Sequence, residues 1–229
     1  MRLIAILLTI TAAFAEDFSK LEVQPVANGF PGGEGPVWAR QGFLIFSDYS
    51  RDRIYKLAPG GVPEVYREDS HGTNGNAMDR QGRLYSCEYK SRRVTRTGRD
   101  GKIEAIARMK TRPNGIALSP DGKILYVAMT DDRKILAYDV DRNGSVSNER
   151  TAVADLPGGP DGMRTDARGN LFIAARGVQV YAPDGKLLGT ISPPVNPRNL
   201  AFGDRDLRTL YMVGNSIFKV RVETPGSMQ

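Results

Sequence analysis

Five positions in this chain carry a side-chain oxygen at one fixed offset from a recurring strand-like segment. The segments open at Gly42, Gly82, Gly122, Gly169 and Leu207, with spacings of 40, 40, 47 and 38 residues. Eight residues before each lie Glu34, Asn74, Asn114, Asp161 and Asn199. Every one is a carboxylate or a carboxamide. If the repeats are arranged about an axis, these oxygens converge on it. A donor set of oxygens with no His or Cys suits a hard divalent cation, Ca²⁺ before Mg²⁺, with Zn²⁺ and Mn²⁺ as further occupants. Such an ion can polarise a carbonyl and acidify a bound water. Taken singly, Asn74-Gly75, Asn114-Gly115 and Asp161-Gly162 also read as turn dipeptides that tolerate a left-handed backbone. Glu34 has no such turn preference, and the shared offset favours a ring.

The elements that must position the ring follow from the repeat length. A period of about 40 residues is that of a propeller blade, a four-stranded antiparallel sheet. In the third copy Gly115 to Leu118 reads as an inner strand. Ser119-Pro120-Asp121-Gly122 is a turn, and Ile124 to Ala128 a second strand. Lys134 to Val140 alternates as a third, Asp141-Arg142-Asn143-Gly144 turns again, and Asn148 to Val153 supplies the outer strand. The second and fourth copies repeat the plan, with third strands over Arg92 to Arg96 and Val178 to Tyr181. The first copy has Gln41-Gly42 and then Ile54 to Leu57. The fifth holds three strands, Asn199 to Phe202, Thr209 to Val213 and Ser216 to Val222. Leu21 to Val26 is expected to supply its fourth and tie the chain ends together. The fold class is therefore all-β, a β-propeller of four-stranded antiparallel blades with five repeats.

Composition sets the outer bounds. The 229 residues are 40% hydrophobic and 25% charged, with 25 Gly and 14 Pro, a turn-rich globular profile. The formal charge is +6. Lys90, Arg92, Arg93, Arg96 and Arg99 form a basic run whose only aromatic is Tyr89, so a solvated face is expected rather than a nucleic-acid surface. Residues 1–15 read as a secretion signal: Arg2, an apolar run from Leu3 to Ala12, then Ala13-Phe14-Ala15. A single propeller domain over 16–229 and a periplasmic or secreted location follow as expectations. No other segment is long and apolar enough to span a membrane. With one cysteine, Cys87, no internal disulfide forms, and Cys87 reads as a packed small hydrophobe.

Other chemistries find little support. His71 is the only histidine, so no His dyad or His-based metal cluster is possible; it precedes the second ring position and stands as a candidate substrate contact. No Gly-x-Ser-x-Gly elbow, phosphate loop or dinucleotide fingerprint occurs. Trp38 is expected to pack between blades.

Several stretches together resemble one family. They are Glu34-Gly35-Pro36-Val37-Trp38, Arg112-Pro113-Asn114-Gly115 leading to Ser119-Pro120-Asp121-Gly122, Pro160-Asp161-Gly162-Met163, and Asn199-Leu200-Ala201-Phe202-Gly203. They are similar to the regucalcin and gluconolactonase family, the senescence-marker-protein-like propellers, over essentially all of the chain after residue 15. The resemblance implies hydrolysis of a sugar lactone, a carboxylic-ester hydrolase reaction, with one divalent cation on the axis. It matches Glu34, Asn114 and Asp161 to the metal ligands, and Asp161 is expected to double as general base. Asn74, Arg112, Asn199 and His71 are the candidate substrate contacts. The expected partner is a small sugar lactone, with no nucleic acid and no membrane, on a monomer or weak oligomer. The family pattern has six blades, and the break falls between Met109 and Arg112. A Pro-Asn-Asp or Phe-Asn-Asp type motif belonging to the missing blade has no match here. Five blades close at about 72° each where six need about 60°, or else leave a gapped six-fold ring. The alternative function is a non-catalytic metal-containing propeller that binds a ligand or protein partner.

Overall fold

Short runs of alternating side chains broken by Asp-x-x-Gly turns favour one outcome, a meander of antiparallel strands. The structure, a computed structural model, describes residues 16–28, 33–39, 41, 43–57, 64–111, 113–214 and 216–227. The expected signal over 1–15 and the candidate Arg112 lie outside the described residues.

Four sheets are simple meanders. The first runs through Gly33–Ala39, Phe43–Asp48, Arg53–Leu57 and Glu64–Arg67, the second through Thr73–Met78, Leu84–Glu88, Arg93–Thr97 and Ile103–Arg108. The third holds Pro113–Leu118, Ile124–Met129, Lys134–Val140 and Val146–Val153, the fourth Met163–Thr165, Leu171–Ala175, Gly177–Tyr181 and Leu187–Ile191. The fifth takes Asn199–Gly203, Thr209–Val213 and Ser216–Arg221 from the end of the chain, and Gln24–Asn28 from its beginning. That closing strand pairs antiparallel, Gln24 opposite Lys219 and Asn28 opposite Ser216. It starts three residues later than the expected Leu21.

The turn between first and second strands recurs almost unchanged. Gly82, Gly122 and Gly169 have φ of 76°, 72° and 84°, and each donates its N–H to the carbonyl three residues back. The Asp79 carboxylate accepts from the N–H groups of Gln81 and Arg83, and Asp166 accepts from Arg168 and Asn170. In the fifth blade Leu207 adopts the same left-handed conformation, φ 54°, with the same bond to Asp204.

The ring is closed by five blades. The first strand of each blade packs against the first strand of the next, and Asn199–Gly203 packs against Gly33–Ala39. The gapped six-fold arrangement is not adopted. Side chains alternate between the two faces of each blade. Ile116 and Leu118 enter the core shared with the second blade, while Ala117 enters the core shared with the fourth. Leu171 and Ile173 face the third blade, and Phe172 and Ala174 the fifth. The first and last described segments both touch the fourth blade. Phe18 packs edge-on against Phe172 at 5.6 Å between ring centres, and Gly226 bridges to Asp166. Among the described residues no helix is long and apolar enough to cross a membrane.

Candidate functional site

Each ring position sits where the chain enters its blade. Glu34, Asn74 and Asn114 are the second residues of their inner strands, Asn199 is the first of its own, and Asp161 lies two residues ahead of Met163. Asp161 is fixed by its backbone, with its N–H donating to Ala174 O at 2.8 Å. The next N–H, that of Gly162, crosses to Arg198 O of the fifth blade at 2.7 Å.

The glycines that follow four ring positions are there for space. Asn74, Asn114 and Asp161 do not have positive φ, so the left-handed turn reading of their X-Gly pairs fails. A Cβ on Gly75 would lie 2.6 Å from Asn114 O. One on Gly35 would strike Asn74 O, one on Gly115 the Asp161 carbonyl, and one on Gly162 the Asn199 side chain. Each ring backbone therefore nests against the glycine of the preceding blade. Only Gly35 also needs its left-handed φ of 54°.

The side chains at the axis divide into braced and open groups. Glu34 is 3% exposed, and its Oε2 accepts from Asn199 Nδ2 at 3.1 Å. Asn199 Oδ1 is taken by the Leu200 N–H at 2.8 Å. Asn199, expected as a substrate contact, is fully buried in the structure, with its Nδ2 on Glu34. Asn114 Nδ2 donates to Thr130 Oγ1 at 3.1 Å, and that hydroxyl donates to Pro160 O at 2.7 Å. Three oxygens are left buried without a hydrogen-bond partner: Asn74 Oδ1, Asn114 Oδ1 and Asp161 Oδ1. Buried polar atoms are nearly always paired, so three orphans from three successive blades are a specific feature.

The electrostatics point the same way. Burial, then the Glu34 charge, push Asp161 up to about 8, offset in part by the Asn114 carboxamide and by Arg198. Burial likewise raises Glu34 against the pull of Asn199, Gly35 N–H and Arg198. Two carboxylates that resist ionising together, next to carbonyl-type oxygens with free lone pairs, form a cradle in which the Arg198 charge offsets only part of the negative charge. Among the described residues no group of three or more His, Cys, Asp or Glu is gathered, so the donor set is two carboxylates with carboxamides. That set fits a hard divalent cation bound through Glu34, Asn114 and Asp161, with Asn74 adjoining.

The remaining candidates fall elsewhere. His71 has φ 52° and is exposed at the entry to the second inner strand. Cys87 is completely buried, and burial raises its thiol well above the usual range. Trp38, expected between blades, is 46% exposed. The basic run is largely neutralised in place: Lys90 pairs with Asp52 at 2.6 Å, Arg93 with Glu88 at 2.5 Å, and Arg96 with Glu104 at 2.6 Å. Two site residues escaped the sequence reading. Arg198, whose charge acts on both carboxylates and whose Nη1 is buried without a partner, directly precedes the ring position Asn199. Thr130 carries no such signal, since it lies on the loop after a second strand.

Comparison with known proteins places this geometry. Residues 94–215 match the family model described as the SMP-30/gluconolactonase/LRE-like region. A gluconolactonase of Zymomonas mobilis is 37% identical over 147 residues, 58% of this chain, and the chain spans 41% of that relative's length. A regucalcin of Xenopus laevis is 33% identical over 82% of this chain and 84% of its own length. The solved structure of a gluconolactonase from Xanthomonas campestris superposes with a TM-score of 0.64 at 25% identity, covering 93% of both chains.

Proposed function

The chain belongs to the SMP-30/gluconolactonase/LRE-like family, and from that membership we propose that it hydrolyses a sugar lactone with a divalent cation at the axis. The observation that supports the reading is that Asn74, Asn114 and Asp161, at equivalent entries of three successive blades, each keep a buried oxygen without a partner, while the Glu34 carboxylate acts on Asp161. Glu34, Asn114 and Asp161 would hold the ion. When bound, it supplies a Lewis acid for the lactone carbonyl and lowers the pKa of a coordinated water.

The chain's own groups do the rest. Asp161 takes a proton from the attacking water as general base, a role that its carboxylate beside Glu34 and Asn114 suits. Arg198 opposes the negative charge that grows on the carbonyl oxygen as water adds to the carbonyl carbon, and the proton taken up by Asp161 passes to the ring oxygen as its bond to that carbon breaks. Asn199 and Thr130 keep Glu34 and Asn114 in register. Export through the leader at 1–15, to a periplasmic or extracellular site, belongs to the same proposal.

The experiment is hydrolysis of glucono-δ-lactone followed by acid release, on metal-stripped protein with Ca²⁺, Mg²⁺, Mn²⁺ or Zn²⁺ added back. Turnover should depend on the cation and should fall by at least about a hundredfold in Asp161→Asn. Turnover indifferent to chelator, or near wild type in Asp161→Asn, contradicts the proposal. Tight cation binding without any lactone turnover would assign the chain a binding role instead.

A further inference from the structure

Four of the five blade junctions hold a buried apolar core. Among the described residues, the junction between the last and first blades shows none. Leu200, Leu210 and Met212 turn toward the fourth blade and join its core. The alternate residues Ala201, Tyr211 and Val213 face the other way, toward Pro36 and Trp38 of the first blade. They meet an apolar cleft of about 580 Å³, a volume within the range of small-molecule pockets. Trp38 is left half in solvent at its wall.

The cleft's rim carries one uncommitted charge. The Asp204 carboxylate is held by Thr209, by Tyr211 at 2.9 Å and by Arg221 at 3.8 Å. Arg205, beside it, makes no ion pair with any described residue. A guanidinium is weakly hydrated, and it favours a planar anion next to an aromatic wall. We propose that this cleft binds a small amphipathic anion, an aromatic or alkyl body bearing a single carboxylate or sulfonate. The apolar walls take the body and Arg205 takes the charge. The cleft lies between the same two blades whose entries carry Glu34 and Asn199, and none of its lining residues is a ring position.

The chain's single tryptophan lines the cleft, so its emission reports occupancy. Anilinonaphthalenesulfonate titrated into the full chain should saturate at one site and quench Trp38 emission by energy transfer. Anilinonaphthalene without the sulfonate should bind about tenfold more weakly, the scale of one charge-assisted pair. Arg205→Glu, a surface change, should weaken the dye by about tenfold or more with an unchanged circular dichroism spectrum. Ala201→Phe should fill the cleft and abolish binding while leaving the cation response at the axis in place. Three results overturn the proposal. One is the absence of saturable quenching. Another is equal affinity in wild type, Arg205→Glu and Ala201→Phe. The third is a sedimenting dimer that shields Trp38 and excludes the dye, which would make the cleft a contact between two copies. None of these readouts depends on lactone turnover.

Discussion

Asn199 donates its carboxamide N–H to Glu34 across 3.1 Å, joining residues 165 apart in sequence at the point where the last blade meets the first. The bond shuts the ring at the axis and orients a buried carboxylate at once. Asn199→Leu keeps roughly the volume and removes the donor. Cation affinity measured by calorimetry should fall by about 10- to 100-fold, as when a ligand loses its outer support. Stability should drop by about 1–3 kcal/mol, because Glu34 is left buried and less satisfied. Unchanged affinity would show that Glu34 needs no brace.

The axial carboxylates set a pH dependence with a definite sign. In the cation-free protein, burial and the Glu34 charge hold Asp161 at about 8, against 3.8 in the unfolded chain, and burial raises Glu34 from 4.5. Both are acids raised by folding, so between those limits the folded state binds more protons than the unfolded one. Their contribution is fully present below about pH 4 and is lost as pH climbs through about 8. Metal-stripped protein should therefore melt at a lower temperature at about pH 8 than at about pH 5, and the gain from added Ca²⁺ should widen over the same interval. A gain independent of pH would remove these two carboxylates from the cation site.

Gly115→Ala tests the nesting of one blade's entry on the next. The new methyl would meet the Asp161 carbonyl, a backbone atom that cannot rotate away. Overpacking of this kind costs about 1–3 kcal/mol. Because the displaced residue is Asp161, lactone turnover should fall at least about tenfold while the far-ultraviolet spectrum is retained. Gly122→Ala makes a useful contrast. Its Cβ meets nothing within 4 Å, but its φ is 72°, so the change should lower stability and spare turnover.

Away from the axis, Glu88 is a heavily committed buried charge. It is fully buried and accepts from Arg67 and Arg93 at 2.5 Å each, from Ser91 at 2.6 Å and from Thr95 at 3.2 Å. Burial pushes its carboxyl up, yet the Arg93, Ser91 and Arg67 bonds leave it below the usual value. Arg67 already has Nε and Nη1 without partners. Glu88→Gln should cost about 3–5 kcal/mol by urea denaturation, since it strands a buried guanidinium. A loss under about 1 kcal/mol would mean that the first two blades do not depend on this pair.

The amino-acid sequence by itself determined the repeat, the strands and the ring positions. Lys134–Val140 and Thr209–Val213 have the ends read from alternation alone, and the left-handed glycines stand where the turn chemistry put them. These features are legible because alternation and turn preference are written in windows of a few residues. Tertiary structure decided the rest. Whether five blades would close depended on the angle summed over every junction, which no single window contains. It also decided which ring oxygens stay open. Asn114 and Asn199 look alike in sequence. One has its amide held by Thr130 of its own blade, while the other spends both ends of its carboxamide on Leu200 and Glu34. The glycines after the ring residues, the charge of Arg198 and the open cleft at Trp38 have the same origin. Each is set by atoms that come into contact only when the last blade reaches the first or one inner strand meets its neighbour.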